Sequence, residues 1–176
     1  MGHDAPDPLT SPSSPSPAAP DAAALLTLER RVRQSGSGLG IDDLIGCWWL
    51  DRVWPKAAEQ PADVTGALLR GLGARLEILQ TREGLQLCNA VALGPLELRF
   101  EGSGLLRGRR PLLQFSFERL LVCWAGRALL TRPLPAPAPG RTPFFALLGR
   151  GPEGWLAARG RGGGLALWRL RQAESR

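Results

Sequence analysis

The chain has little of what most catalytic and metal-binding sites are built from. Of its 176 residues one is histidine, His3, and none is tyrosine. Without a histidine in its folded part, a zinc site or a histidine-based triad is not expected. The three cysteines, Cys47, Cys88 and Cys123, form no CxxC pair and are odd in number. Each sits in an apolar run, where cysteine behaves as a small hydrophobe, so they read as buried thiols rather than a disulfide framework. Lysine occurs once, at Lys56, and no GxxxxGK[ST] is present, which argues against a phosphate loop. No apolar run approaches the roughly 20 residues of a membrane-spanning helix. Residues 1–20 lack both the basic start and the apolar core of a secretory signal. They also lack the arginines of a transit peptide, so a cytoplasmic location is the expectation.

What is present is arginine, glycine, proline and a strong asymmetry of charge. Residues 41–98 carry five basic and eight acidic side chains, a net −3, whereas residues 99–176 carry fourteen and four, a net +10. The second half is therefore a cationic surface suited to phosphate, sulfate or anionic headgroups. Its densest cluster, Arg107, Arg109 and Arg110 in LLRGRRP, is the candidate contact for an anionic membrane surface, with a solvated hairpin turn as the alternative reading.

The chain divides into a Pro/Ser-rich tail at 1–20, expected to be disordered, a helix and linker at 21–40, one folded unit at 41–171, and a short tail at 172–176. Asp21 is a helix N-cap for DAAALLTLERRVRQ, which the Ser35–Gly40 glycine run ends. Asp42 and Asp43 open a short turn, and Pro61–Gly73 reads as a second short helix. From Ala74 onward the apolar period is two. Leu76 and Ile78, then Leu85, Leu87, Asn89, Val91 and Leu93, then Leu96, Leu98 and Phe100, then Leu113, Phe115 and Phe117 each share a face. At Glu118-Arg119 the phase slips to Leu120, Val122 and Trp124, a slip that either a bulge or a break in the strand would absorb. The Pro133–Pro143 loop is followed by three short strands, and RGRGGG (Arg159–Gly164) is the turn of the last hairpin.

Eight to ten short strands after a helix indicate an antiparallel up-and-down meander closing into a β-barrel. Its inner faces make Leu76, Ile78, Leu87, Leu98, Phe100, Phe115 and Phe117 the lining candidates for an apolar ligand. Asn89 is the odd polar group able to orient one. The carboxylates Glu77, Glu97, Glu101 and Glu118 fall on wet faces without a distinguishing pair, so no catalytic residue, cofactor or metal is expected. RGRGGG also resembles an RGG element, but a single copy between strands makes nucleic acid an unexpected partner.

Gly46-Cys47-Trp48, at the start of the first strand, resembles the G-x-W motif of lipocalins. That resemblance implies that Trp48 plugs one barrel end under an arginine of the last strands, Arg169 or else Arg159, a cation–π contact of about 0.5–2 kcal/mol. LIGCWWLDRVWPK, RRPLLQFSFERL and PFFALLGRGPEGWLAARGRGGGLALWRL together resemble the plastid-lipid-associated (fibrillin) domain, in its short cyanobacterial form, over about residues 41–170. The resemblance implies a lipocalin-like barrel and non-enzymatic binding of a lipid or other hydrophobic small molecule. It also implies peripheral association with thylakoid membranes. Bilin lyases, which chaperone a tetrapyrrole, share such barrels and supply the alternative function.

Overall fold

The computed structural model describes residues 19–56 and 71–171. The Pro/Ser tail up to residue 18, residues 57–70 of the second helix reading and its approach, and the tail at 172–176 lie outside them. Helix α1 (Ala22–Ser35) begins where Asp21 accepts a hydrogen bond from the Ala24 N–H at 2.8 Å. It ends at Gly36, whose N–H still donates to the Val32 carbonyl while its φ of 81° turns the chain that follows out of the helix. Ala22, Leu25, Glu29 and Val32 recur at helical spacing and form its buried stripe.

The remainder is mainly β, as the period of two requires. The strands are β1 (Gly46–Trp54), β2 (Arg75–Thr81), β3 (Gly84–Leu93), β4 (Leu96–Arg107), β5 (Leu112–Trp124), β6 (Arg127–Pro133), β7 (Phe144–Gly151), β8 (Trp155–Gly160) and β9 (Leu165–Arg171). All neighbours are antiparallel in one sheet, which closes in a ring through β1–β9 and β4–β5 pairing. The up-and-down order holds except at β6. That strand pairs with Arg119–Trp124 of β5, while β7 pairs with Leu112–Gln114 of the same strand. The proline-rich loop carries the chain past β6, which is left as an edge outside the ring of eight.

Two local devices shape the ring. Glu101 faces Arg119 and the next residue, Gly102, faces Phe117, so Glu118 is the extra residue of a bulge at the place where the apolar phase slips. Gly102 and Gly104 face Phe117 and Phe115 across β4–β5, leaving inner space for the two rings. A Cβ at Gly102 would overlap the Ser116 carbonyl oxygen.

The RGRGGG segment is the β8–β9 connection. Gly163, at φ 88°, donates to the Gly160 carbonyl, and Gly160 donates to Gly164. Arg161 donates to the Thr142 and Gly140 carbonyls, tying the Pro-rich loop to this turn. The turn and its arginine thus have structural work, in keeping with the hairpin reading.

Two cores result. Inside the ring, Trp48, Leu76, Ile78, Leu85, Leu87, Leu113, Phe115, Leu147, Leu156 and Trp168 pack together. Outside it, α1 packs Leu25 against Trp54, Leu148, Ala157, Leu165 and Leu167. Full burial of a leucine such as Leu25 contributes about 1.5–3 kcal/mol, which docks the helix on the ring.

Candidate functional site

One end of the ring is closed. Trp48 is fully buried and donates its indole N–H to the Leu44 carbonyl at 2.6 Å. Leu44 is equally buried, and Leu39, Ile41 and Ile45 pack around it as a plug. Gly46 has φ 143°, and a Cβ there would lie 2.6 Å from the Leu170 side chain.

The cation over Trp48 is Arg150, with its guanidinium carbon 5.7 Å from the ring centre, and neither Arg169 nor Arg159. Arg150 also reaches Asp43 at 3.4 Å. Register supplies the reason. Trp48 faces Leu170 on β9, so Arg169 faces Trp49 and points to the outer surface, 3.4 Å from Asp51. Arg159 is held by Glu29 of α1 at 2.6 and 2.8 Å. A register shift between Leu147 and Gly149 turns Arg150 to the inner side, opposite Leu156. A last-strand arginine does stack on an indole, but the pair is Arg171 on Trp49 at 4.4 Å, with Arg75 5.7 Å from the same ring.

The other end differs. Of the lining candidates, Leu76, Ile78, Leu87 and Phe115 are buried members of the inner core, filling the closed half with side chains. Phe117, Phe100 and Leu98 are only partly buried, and Asn89 is exposed. All four lie toward this other end, called the open end because, among the described residues, no plug like that around Leu44 closes it; there the inner face continues along β3, β4 and β5. Asn89 faces Phe100 and Phe100 faces Leu120, while Val91, Leu98, Val122 and Leu130 form the next row. Leu93, Leu96 and Trp124 form the last. A file of rings runs inward from this face: Phe100, Phe117, Phe115, Phe145 and Trp168, with successive centroids 5.1–5.8 Å apart.

Sequence reasoning missed the tips of this extension. Leu93, Leu96, Trp124, Leu129 and Leu130 are all exposed. The Ala125 N–H donates to the Pro95 carbonyl at 2.8 Å, joining the β3–β4 and β5–β6 turns into one apolar tip. Arg127 and Arg132 flank it on β6. The signal was the run Ala128–Leu130, which does not alternate. Arg107, Arg109 and Arg110 lie at the opposite end of β4 and β5, and Arg110 is bonded to the Arg33 carbonyl of α1.

On the outer face the described carboxylates of β2 and β4 are bridged by arginines. Arg75 binds Glu77 and Glu97 at 2.7 and 2.9 Å, Arg99 binds Glu77, Glu97 and Glu101 at 3.2–3.5 Å, and Arg119 binds Glu101 at 3.1 Å. Glu118 accepts from the Ser103 hydroxyl. Beneath the network, burial pushes the Cys88 thiol up to about 11, and burial likewise raises Cys47. Both are protonated at neutral pH and are weak nucleophiles. No family model matches the chain, and no curated protein matches it significantly.

Proposed function

We propose that this chain is a lipocalin-like, fibrillin-type domain that binds a lipid or other hydrophobic small molecule without catalysis, at the open end of its strand ring. We further propose that it does so peripherally on a membrane of the photosynthetic kind. The observation that carries the reading is the inner face of β3–β5, which continues past the filled half of the ring with Leu98, Phe100 and Phe117 only partly buried. Covering such side chains is favourable by about 1.5–3 kcal/mol for each one fully buried. Asn89 offers a single amide among them to orient a polar end.

Organic extraction of the protein purified from its own host, followed by mass spectrometry, is expected to release an apolar molecule. A fluorescent long-chain probe is expected to bind with at least tenfold lower affinity after Phe100→Gln with Leu98→Gln. An empty extract together with unchanged probe binding in that variant would overturn the reading.

A further inference from the structure

Outside the ring, a cleft of about 320 Å³ separates the second half of α1 from β7 and the β4–β5 turn. This is within the range of pockets that hold small molecules. Its floor is apolar, formed by Val32, Pro111, Leu112, Ala146 and Leu148. Three guanidiniums stand at its rim, each from a different element: Arg33 from α1, Arg110 from the turn before β5, and Arg159 from β8.

One carboxylate, Glu29, faces them, and its charge is already engaged. Arg159 binds both of its oxygens at 2.6 and 2.8 Å, and Arg33 binds one at 2.8 Å. The rim therefore keeps a surplus of positive charge over an oily floor. The bonds to Glu29 and to the Arg33 carbonyl occupy one nitrogen of Arg33 and one of Arg110, and a guanidinium has five N–H donors. The walls are fixed: Gly36 lies so close to the Arg109 carbonyl that a Cβ there would overlap it, which sets the end of α1 against the turn.

We propose that this cleft is a second binding site, distinct from the open end of the ring, for a small amphiphilic anion. Arg33 and Arg110 hold the head by charge-assisted hydrogen bonds, and the body lies on Val32, Leu112 and Ala146. A cation is repelled by the rim, and a neutral apolar molecule makes no use of the N–H donors that Arg33 and Arg110 keep beyond those bonds. An anion with no tail gains nothing from the floor. Only a molecule with both parts satisfies the whole cleft.

The probes are octanoate, octanol and acetate, titrated into the full chain and followed by methyl NMR and calorimetry. Octanoate is expected to fill the cleft as one molecule per chain, read as saturable shifts of the Val32, Leu112 and Ala146 methyls. Octanol and acetate are expected to bind at least tenfold more weakly. The double substitution Arg33→Gln and Arg110→Gln is expected to weaken octanoate at least tenfold, and Arg110→Lys to restore part of the loss. Phe100→Gln with Leu98→Gln, which alters the open end, is expected to leave the octanoate shifts intact. Because removing arginines can loosen α1, the wild-type comparison of octanoate with octanol stands as an independent arm. Equal affinity for the two, or shifts confined to the open end of the ring, overturns the proposal.

Discussion

Glu29 is the side chain whose environment departs furthest from what its surroundings in the sequence announce. It sits on the buried stripe of α1, at 9 % exposure, where an apolar residue is the ordinary choice. Burial raises its carboxyl, but hydrogen bonds from Arg159 and Arg33 outweigh that and hold it below the usual carboxylate range. A folded-state value below the unfolded one means that the unfolded chain takes up the proton more readily. The contribution is therefore complete above the unfolded value, about pH 4.3, and is lost as pH falls through the folded value. Urea midpoints measured from pH 7 to pH 3 are expected to fall on acidification less steeply in Glu29→Gln than in the wild type. At pH 7 the substitution is expected to cost about 1–3 kcal/mol, since it leaves Arg159 partly buried without its charge partner. Parallel acid profiles for the two proteins would refute this role. The pair was not legible beforehand: Glu29 and Arg159 are far apart in the chain, and Arg159 follows a strand pattern that says nothing of a helix outside. Asp21 was legible because a helix cap is a local demand, whereas the place of Gly46 and Trp48 at the start of the first strand was suggested only by the resemblance to the G-x-W motif. Arg150 over Trp48 was not, because a bulge of one residue reverses which side chains face inward.

Among the elements, β4 and β5 carry the longest ladder, and its bulge at Glu118 decides where the inner face continues. Gly102 is the tight point of that bulge. A methyl group added there meets the Ser116 backbone, which has no rotamer to change, whereas one added at Gly104 meets the end of the Leu87 side chain. Gly102→Ala is thus expected to destabilise by about 2–4 kcal/mol, and Gly104→Ala by less than half of that. Guanidinium midpoints for the two variants test the order; equal losses would show that the bulge is soft. The phase slip in the sequence marked the place of this bulge, though not a bulge over a break, because a period of two makes any one-residue insertion visible. The fate of β6 was not visible. RALLTRP reads like any other short strand, and its place outside the ring depends on which half of β5 its neighbours occupy. That is a matter of pairing between distant segments rather than of local preference.

At the scale of the whole molecule, two ends compete for the membrane contact proposed above. The sequence drew attention to Arg107, Arg109 and Arg110, but Arg110 is already bonded to α1, and the cluster lies beside the plugged end of the ring. The opposite end presents Leu93 and Trp124 where their strands run into the joined turns, and Leu129 and Leu130 along β6, which also carries Arg127 and Arg132. Magnitudes separate the two. A basic side chain near an anionic surface contributes about 1 kcal/mol, screened over roughly 8 Å at physiological salt. A leucine taken fully out of water contributes about 1.5–3 kcal/mol with no such screening, and tryptophan suits the headgroup boundary. Binding through the apolar tip is therefore expected to survive 0.5 M salt in part, and binding through the cluster is not. Co-sedimentation with vesicles of mixed neutral and anionic lipid reads the difference. Trp124→Ser with Leu129→Ser is expected to reduce bound protein at least tenfold, and Arg107→Gln with Arg109→Gln to reduce it less than threefold. The reverse order, with binding abolished by salt, would turn the molecule over and place the plugged end against the lipid. The apolar ligand proposed for the open end would then have to be taken up from water rather than from the bilayer.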